Sequence, residues 1–454
     1  MLPKVFAYYP KTAAAGMLFS PVRFVKSGGK YAIITLGTNS LHDSGARFEV
    51  KKFERNNPRT PWIFYLFYFA SFCGGSIQGS FMGLYLTEAG VPVRTLGILN
   101  GVNQSISLIT LPIFGRLADR AKTKNIFLDL GYILTIAILI AFMIIKDVTA
   151  IVVLRFIYSI ISTPIMSVYE TIAMEHAGKH GWEYGPIRMS GTIGFSIASF
   201  LSGFGLKGNL SAMFPMLIAC YAVTLALALM LPDSNRVVRV VNSPNEKKSS
   251  DNVYVILKDR QVRNVLFMFF VYSLASSINT TYFSNYAVSL GGSYSMVGIA
   301  YSILGFSELP FHLGPGKRWL QRIGVERSLL VVLSVGVFRW TVCMLTNNSS
   351  VLMWTMALNG IMLVPVIIGM AQFLYDHAPE GLKVTAQTSL RSTVSVIAML
   401  IADFGGSAMF HMFEQMGLNG YKGMYALMIP LSVLGLIAGF SSLKKGEAQA
   451  GEAL

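Results

Sequence analysis

Charge is what this chain has least of. Only 13% of its 454 residues are Asp, Glu, Lys or Arg, about half the ~25% usual in a soluble domain. A water-exposed globular surface needs more, and so does a disordered chain, so a soluble enzyme and an intrinsically disordered protein are both excluded. Cysteine is also scarce: Cys73, Cys220 and Cys343 each sit inside an apolar run. That leaves no disulfide framework and no metal-ligand spacing, and the three read as packing residues. Acids are outnumbered 22 to 37 by Lys and Arg, a net charge of +15. The basic excess is spread between the apolar runs rather than gathered on one face. It therefore describes the loops of a membrane protein, not a nucleic-acid surface.

What the chain has in abundance is hydrophobic sequence, 53% of residues with a mean hydropathy of +0.54. The apolar runs are about 18–27 residues long, enough to cross a bilayer as helices. Twelve spans are expected, at 62–88, 95–115, 126–145, 149–172, 188–206, 212–232, 264–290, 295–314, 328–346, 350–376, 385–408 and 422–442. Of the 37 basic residues, 29 fall on one side of these spans and only Arg94, Lys146, Lys207 and Lys422 on the other. The positive-inside rule then puts both termini in the cytoplasm. Arg155, Arg188, Arg339 and Arg391 fall within spans or at their mouths.

The expected organisation is a basic cytoplasmic segment at 1–60, a six-helix half at 61–232, a polar linker at 233–263, a second six-helix half at 264–443 and a cytoplasmic tail at 444–454. The first 60 residues lack a signal-peptide core and hold one strand-like stretch, 31–36. They read either as a disordered tail or as a start assigned too early, with translation beginning near Val50. The halves also repeat: Tyr85, Gly90, Gly97 and Ile98 recur 201 positions on as Tyr286, Gly291, Gly298 and Ile299, and Arg188 and Gly203 recur 203 on as Arg391 and Gly406. Two six-helix halves in parallel repeat are the build of a rocking transporter, with its site between them near mid-membrane.

The stretch from Gly115 through Asp119 and Arg120 to Lys124, after the second span, resembles the loop motif of the major facilitator superfamily. The resemblance implies that Gly115, Asp119 and Arg120 act as a conformational gate, and Arg391, the counterpart of Arg188, is counted with them. Its counterpart loop at 317–324 has Gln321 where an acid would stand. Four further places resemble the branch with lactose permease, phenylpropionate permease and nucleoside–proton symporters. They are Glu170 and Arg188 with their spacing of eighteen, Gly305-Phe-Ser-Glu308-Leu, Phe338-Arg339-Trp340, and Leu358-Asn359-Gly360. In that branch the acid and arginine meet at the substrate site and the eighth-span Glu lies in the membrane. The usual tenth-span ionisable set would fall near Met356, Asn359 and Met362, none of them ionisable. The proton pathway is thus carried over only in part, and lactose is a poor fit.

An ionised group at mid-bilayer costs about 2.5–3.5 kcal/mol on insertion scales, so such residues need partners or water. Glu308 lies deep in the eighth span with His312 at i+4, and Asp403 lies in the eleventh. All three are candidates for proton coupling, with Arg339 near Glu308 to tune release; the alternative is static pairing that locks helices. Asp403 could instead pair with Arg339 or simply hydrogen-bond to its neighbours. Glu170 and Arg188 are either substrate ligands or an interfacial salt bridge. Asn279, Tyr282 and Tyr286, at i, i+3 and i+7, share one helical face, suited to a sugar, nucleoside or aromatic acid. Tyr65, Tyr68, Gln78, Gln104, Asn285 and Gln372 are further lining candidates.

The expectation is an all-α integral membrane protein with twelve transmembrane helices in two pseudo-repeated six-helix halves, the major facilitator fold. It moves a small polar or aromatic metabolite by alternating access, with proton symport, as a monomer in the plasma or inner membrane. Substrate would meet Glu170, Arg188, Arg339, Asn279, Tyr282 and Asn359. No cofactor, metal or nucleic acid is implied. The rival readings are an uncoupled facilitator or drug exporter and, more remotely, a polytopic membrane enzyme, for which the short outer loops offer no clustered acids or His-based site.

Overall fold

A computed structural model describes the backbone at residues 22–27, 30–35, 62–120, 124–232, 253–312, 318–319, 322–378, 386 and 390–452; side chains at 22–35, 111–112, 115–116, 118–120, 253–255 and beyond 441 lie outside that description. The chain divides into two units at Pro61. In the first, β1 (Val22–Ser27) pairs antiparallel with β2 (Lys30–Thr35), Val22 opposite Thr35 and Ser27 opposite Lys30. The strand-like stretch at 31–36 is thus β2, and residues expected to be a disordered tail form a hairpin here. The rest of that segment lies outside the described residues, as do the N-terminal end and most of the linker.

Among the described residues, the second unit holds twelve long helices. In chain order these are α1 (Trp62–Glu88), α2 (Val93–Arg120), α3 (Asn125–Ile144), α4 (Val148–His180), α5 (Tyr184–Gly205), α6 (Met213–Leu229), α7 (Arg260–Ser289), α8 (Tyr294–His312), α9 (Val325–Leu345), α10 (Ser349–His377), α11 (Arg391–Gln415) and α12 (Gly420–Glu452). Residues 355–358 within α10 tighten to a 3-10 turn. Eight of the twelve are long and apolar enough on composition alone to cross a membrane. α1, α2, α5 and α8 fall short of that measure because they carry Gly, Ser, Gln, Asn and charged residues. A helix shielded from lipid by its neighbours can carry them.

Local chemistry sets the ends. Asp147 caps α4 by accepting from Ala150 N at 2.8 Å, and Gly181, at φ 68°, ends the helix where its N–H reaches Ala177 O. Asp259 caps α7 through Gln261 N at 2.8 Å, so α7 begins at Arg260 and takes in the end of the expected linker, behind a 3-10 turn at Val253–Lys258. Boundaries move by five residues or more at four helices, α4 running on to His180 instead of 172. The Gly115–Arg120 motif continues α2 rather than forming a loop, α11 runs from Arg391 to Gln415 instead of 385–408, and α12 continues through residues expected as tail.

The sequence repeat is a repeat of function in packing. Gly90 (φ 102°) and Gly291 (φ 79°) both turn the chain between a first and second helix in the left-handed region. Tyr85 of α1 packs edge-on against Phe214 of α6 at 4.7 Å, and Tyr286 of α7 stacks on Tyr421 of α12 at 5.1 Å. Gly97 and Gly298 each let a second helix of one half approach the fifth helix of the other.

Candidate functional site

The halves meet chiefly at two crossings. Where α5 packs on α8, a Cβ on Gly298 would lie 2.5 Å from Ser199 O and 2.7 Å from Gly203 Cα. Where α2 packs on α11, a Cβ on Gly97 would run into the Asp403 carbonyl. Backbone meets backbone at both, which only glycine allows.

Hydrogen bonds then tie one end of the seam. Ser284 Oγ donates to Ser80 O (2.8 Å), Thr87 Oγ1 to Asn285 Oδ1 (2.6 Å), Asn100 Nδ2 to Thr281 Oγ1 (3.1 Å) and Ser295 Oγ to Gly203 O (3.2 Å), while Ser407 Oγ donates to Arg94 O. All lie from mid-bundle toward the end at which α1 and α7 finish. Among the described residues, the hydrogen bonds at the opposite end stay within a half, as in Asn264 to Ser441 and Arg391 Nη1 to Ile367 O (3.2 Å). Arg391, expected at a gate, therefore binds α10 of its own half. Gly115, Asp119 and Arg120 lie on the last turns of α2, with the side chains outside the described residues.

Toward that opposite end, Arg188 of α5 has its guanidinium 4.3 Å from the Phe72 ring centroid. Phe72 in turn stacks parallel to Tyr68 (6.2 Å, 13°), whose hydroxyl is 3.2 Å from that of Tyr184. The ring holds the guanidinium without neutralising it. Across the seam, α8 runs antiparallel to α5, with Gly298 on Gly203 and Gly305 on Ser196, so Glu308 and His312 come to the level of Thr192 and Arg188.

Glu308 Oε1 accepts from Asn359 Nδ2 at 3.1 Å, and Gly360 N donates to Ser307 Oγ at 2.9 Å. Glycine at 360 is what lets α10 come so close, since a Cβ there would strike the Ser307 carbonyl. Four predicted residues, Glu170, Arg188, Glu308 and Asn359, therefore share one neighbourhood spanning both halves. His312, the last residue of α8, is exposed at its margin.

Three expectations fail. Arg339 does not partner Glu308: it is 2% exposed, its Nη2 and Nη1 face Met356 Sδ (3.0 Å) and Met362 Sδ (3.8 Å), and it lies 5.0 Å from the Trp340 ring. It makes no ion pair with a described residue, because α9 turns it into its own half among apolar and aromatic groups. Asp403 does not pair with Arg339 either. Its Oδ1 accepts from Ser277 Oγ (3.3 Å) and Thr281 Oγ1 (3.2 Å) of α7. The α7 stripe faces the other half only in part: the Tyr282 hydroxyl lies against Gly97 of α2, while Asn279 and Tyr286 turn into their own half. Asn279 accepts from Tyr425 OH (3.0 Å), Tyr282 stacks on Phe410 (6.0 Å, 5°), and Tyr286 OH donates to Cys343 O (2.9 Å). Periodicity identifies a face of a helix but not the neighbour it meets. Arg155, also a buried cation by sequence, bonds Ser159 beside Tyr158 within the first half.

Sequence reasoning missed Phe72, Ser277 and Thr281. Phe72 stands one turn after Tyr68, and Ser277 and Thr281 form an i, i+4 hydroxyl pair in α7; both spacings were available as signals.

Comparison with known proteins agrees with this fold. The MFS_1 like family matches residues 62–417. A maltose permease of Geobacillus stearothermophilus is 25% identical over 279 residues, 61% of this chain and 69% of that protein. The uncharacterized transporter YwbF of Bacillus subtilis (strain 168) is 21% identical over 378 residues, 82% of this chain and 90% of its own. Among solved structures, the nucleoside transporter NupG superposes with a TM-score of 0.70 at 16% identity, covering 84% of this chain and 98% of that one. A bacterial homologue of the human lysosomal transporter Spinster gives 0.62 at 12%, covering 84% and 94%. With twelve helices in two repeated halves and a family match over most of its length, the chain belongs to the MFS_1 like family of the major facilitator superfamily: it is a multi-pass membrane transporter of small molecules, not an enzyme.

Proposed function

We propose that the chain carries a small polyhydroxylated or aromatic metabolite, a sugar or nucleoside in the first instance, by proton symport through alternating access. The observation that carries the reading is the cross-seam neighbourhood of Arg188 on α5 with Glu308 and Asn359 on α8 and α10. A cation from one half and a carboxylate from the other, not locked together, can each take a polar substrate group and exchange it for one another when the site is empty. Glu308 is the proton carrier: protonated, it no longer attracts Arg188, and the loaded halves can rock. Glu170 and the Tyr68–Tyr184 pair supply hydrogen bonds for hydroxyls, and Phe72 a face for a ring. The relatives include a maltose permease and a fold neighbour that transports nucleosides, which supports the polyhydroxylated class. Hydrogen bonds gathered at one end of the seam support a form open at the other. The basic loops make that open end cytoplasmic, in the plasma or inner membrane, with the chain acting as a monomer.

The test is proton movement on adding pooled sugars, nucleosides and aromatic acids to vesicles holding wild type or Glu308→Gln. Alkalinisation outside with one class, lost in the variant while counterflow of the same solute persists, is expected. Uphill accumulation unaltered in the variant removes Glu308 from the mechanism, and solute flux without proton movement makes the protein a facilitator.

A further inference from the structure

The outer end of the α2–α11 crossing is fastened by a pair of side chains that the Arg188–Glu308 neighbourhood does not use. Arg94, on the first turn of α2, is held twice by α11. Its carbonyl accepts from Ser407 Oγ, and its Nη1 lies 3.3 Å from His411 Nδ1, one turn further along. A guanidinium only donates, so Nδ1 is the accepting nitrogen and the imidazole is neutral. Nε2 then keeps the ring's proton, and the Gln415 carboxamide, 3.1 Å away, turns its oxygen to it. An imidazolium has two donors and no acceptor, and would set one cation against another. The contact exists in one charge state only.

The surroundings offer a protonated ring another partner. Arg94, His411 and Glu414 line one open cavity of about 450 Å³, with Phe410 in its wall. Glu414 stands at i+3 from His411, a spacing at which side chains on a helix meet. From the other elements packed here come Tyr421 of α12 and Tyr282 of α7, both against Phe410; phenols are uncharged where histidine titrates. Lys422 is engaged by Asn347 and Glu88 by Tyr294.

We infer that His411 is a proton-binding site at the outer mouth, and that loading it unfastens the seam. Neutral, the ring accepts from Arg94 of the other half; protonated, it leaves Arg94 for Glu414 of its own helix. Protons therefore bind the parted seam more tightly than the closed one. Across the range of about pH 8 to 5 in which histidine gains its charge, acid shifts the protein toward the form open at this end.

The inference rests on neither the transported solute nor Glu308, so it is tested without them. Purified full-length protein in detergent carries Gly83→Cys, in the seam against Asn285. Its rate of maleimide labelling is divided by that of the same protein bearing His411→Gln, at about pH 7.5 and about pH 5.5, either side of the histidine value. Taking the ratio cancels the thiol's own titration, and a glutamine at 411 can accept from Arg94 without titrating. The ratio is expected to rise by about threefold on acidification, the size of an exposed polar contact. It should stay level when Arg94→Gln is added to both proteins. Should His411→Gln fail to fold, Arg94→Gln serves as the reference, and the same rise is expected. Glu414→Gln should need more acid for the rise; no such change removes Glu414 from the exchange. A ratio unmoved by acid in folded protein overturns the site, and so does a rise that persists with Arg94→Gln in both proteins. Neither result bears on Glu308.

Discussion

The two crossings between the halves are alike in backbone and opposite in chemistry. At α5–α8 and at α2–α11, a glycine of the repeat, Gly298 or Gly97, brings main chains into contact. Yet the first crossing sets an arginine of one half near a carboxylate of the other, while the second buries a carboxylate among hydroxyls with no basic partner among the described residues. Repetition has preserved the hinge surface and released the side chains around it.

Removing the shared feature should have the largest effect. Gly298→Ala and Gly97→Ala each force a Cβ into main-chain atoms, and overpacking of this kind costs about 1–3 kcal/mol. Uptake by either variant should fall by about ten- to a hundredfold. Gly405→Ala, where a Cβ meets nothing within 4 Å, should stay within about twofold, as read by initial rates in vesicles at equal protein. A loss confined to Gly298 would make the crossings unequal hinges.

The difference between the crossings comes next. Arg188→Gln should abolish accumulation, and Arg188→Lys should retain a tenth or so of it, because an ammonium keeps the charge but stacks less well on Phe72. Full activity in the lysine variant would show that the ring does nothing for the site.

A smaller change is expected where the seam is only tied. Thr87→Ala deletes the bond to Asn285, worth about 0.5–1.5 kcal/mol. A cysteine introduced at Gly83, which faces Asn285, should then react with a membrane-impermeant maleimide several times faster, with no change in the presence of Arg188 or Glu308 replacements. The smallest effect belongs to a contact inside one half: Lys124→Gln breaks the ion pair with Glu175 and should cost about 1 kcal/mol or less in thermal stability, leaving transport unaltered.

The span count was legible because bilayer thickness dictates helix length, and the repeat was legible because it marks where glycine must stand. The expected span 385–408 followed the apolar run, whereas α11 continues past that run through His411 and Glu414 to Gln415. Glu308 and Asn359 could each be singled out by resemblance; that Asn359 rather than Arg339 meets Glu308 could not. Arg339 and Arg188 both lie within or at the mouth of a span, and only tertiary packing turns one toward Met356 and the other onto the Phe72 ring. Asn279 was lost for the same reason, on a helix polar on more than one side.

Three of the seam bonds share a form: a serine hydroxyl, of Ser284, Ser295 or Ser407, donates to a main-chain carbonyl of the facing half. The acceptors cannot be mutated away, and each donor is a single atom contributing about 0.5–1.5 kcal/mol. Selection can therefore add or remove such bonds one codon at a time, moving the ratio of open to closed forms by factors of about two to ten per step. A transporter whose closed state is assembled from such small increments can be retuned to a scarcer or a more abundant solute without touching the residues that recognise it.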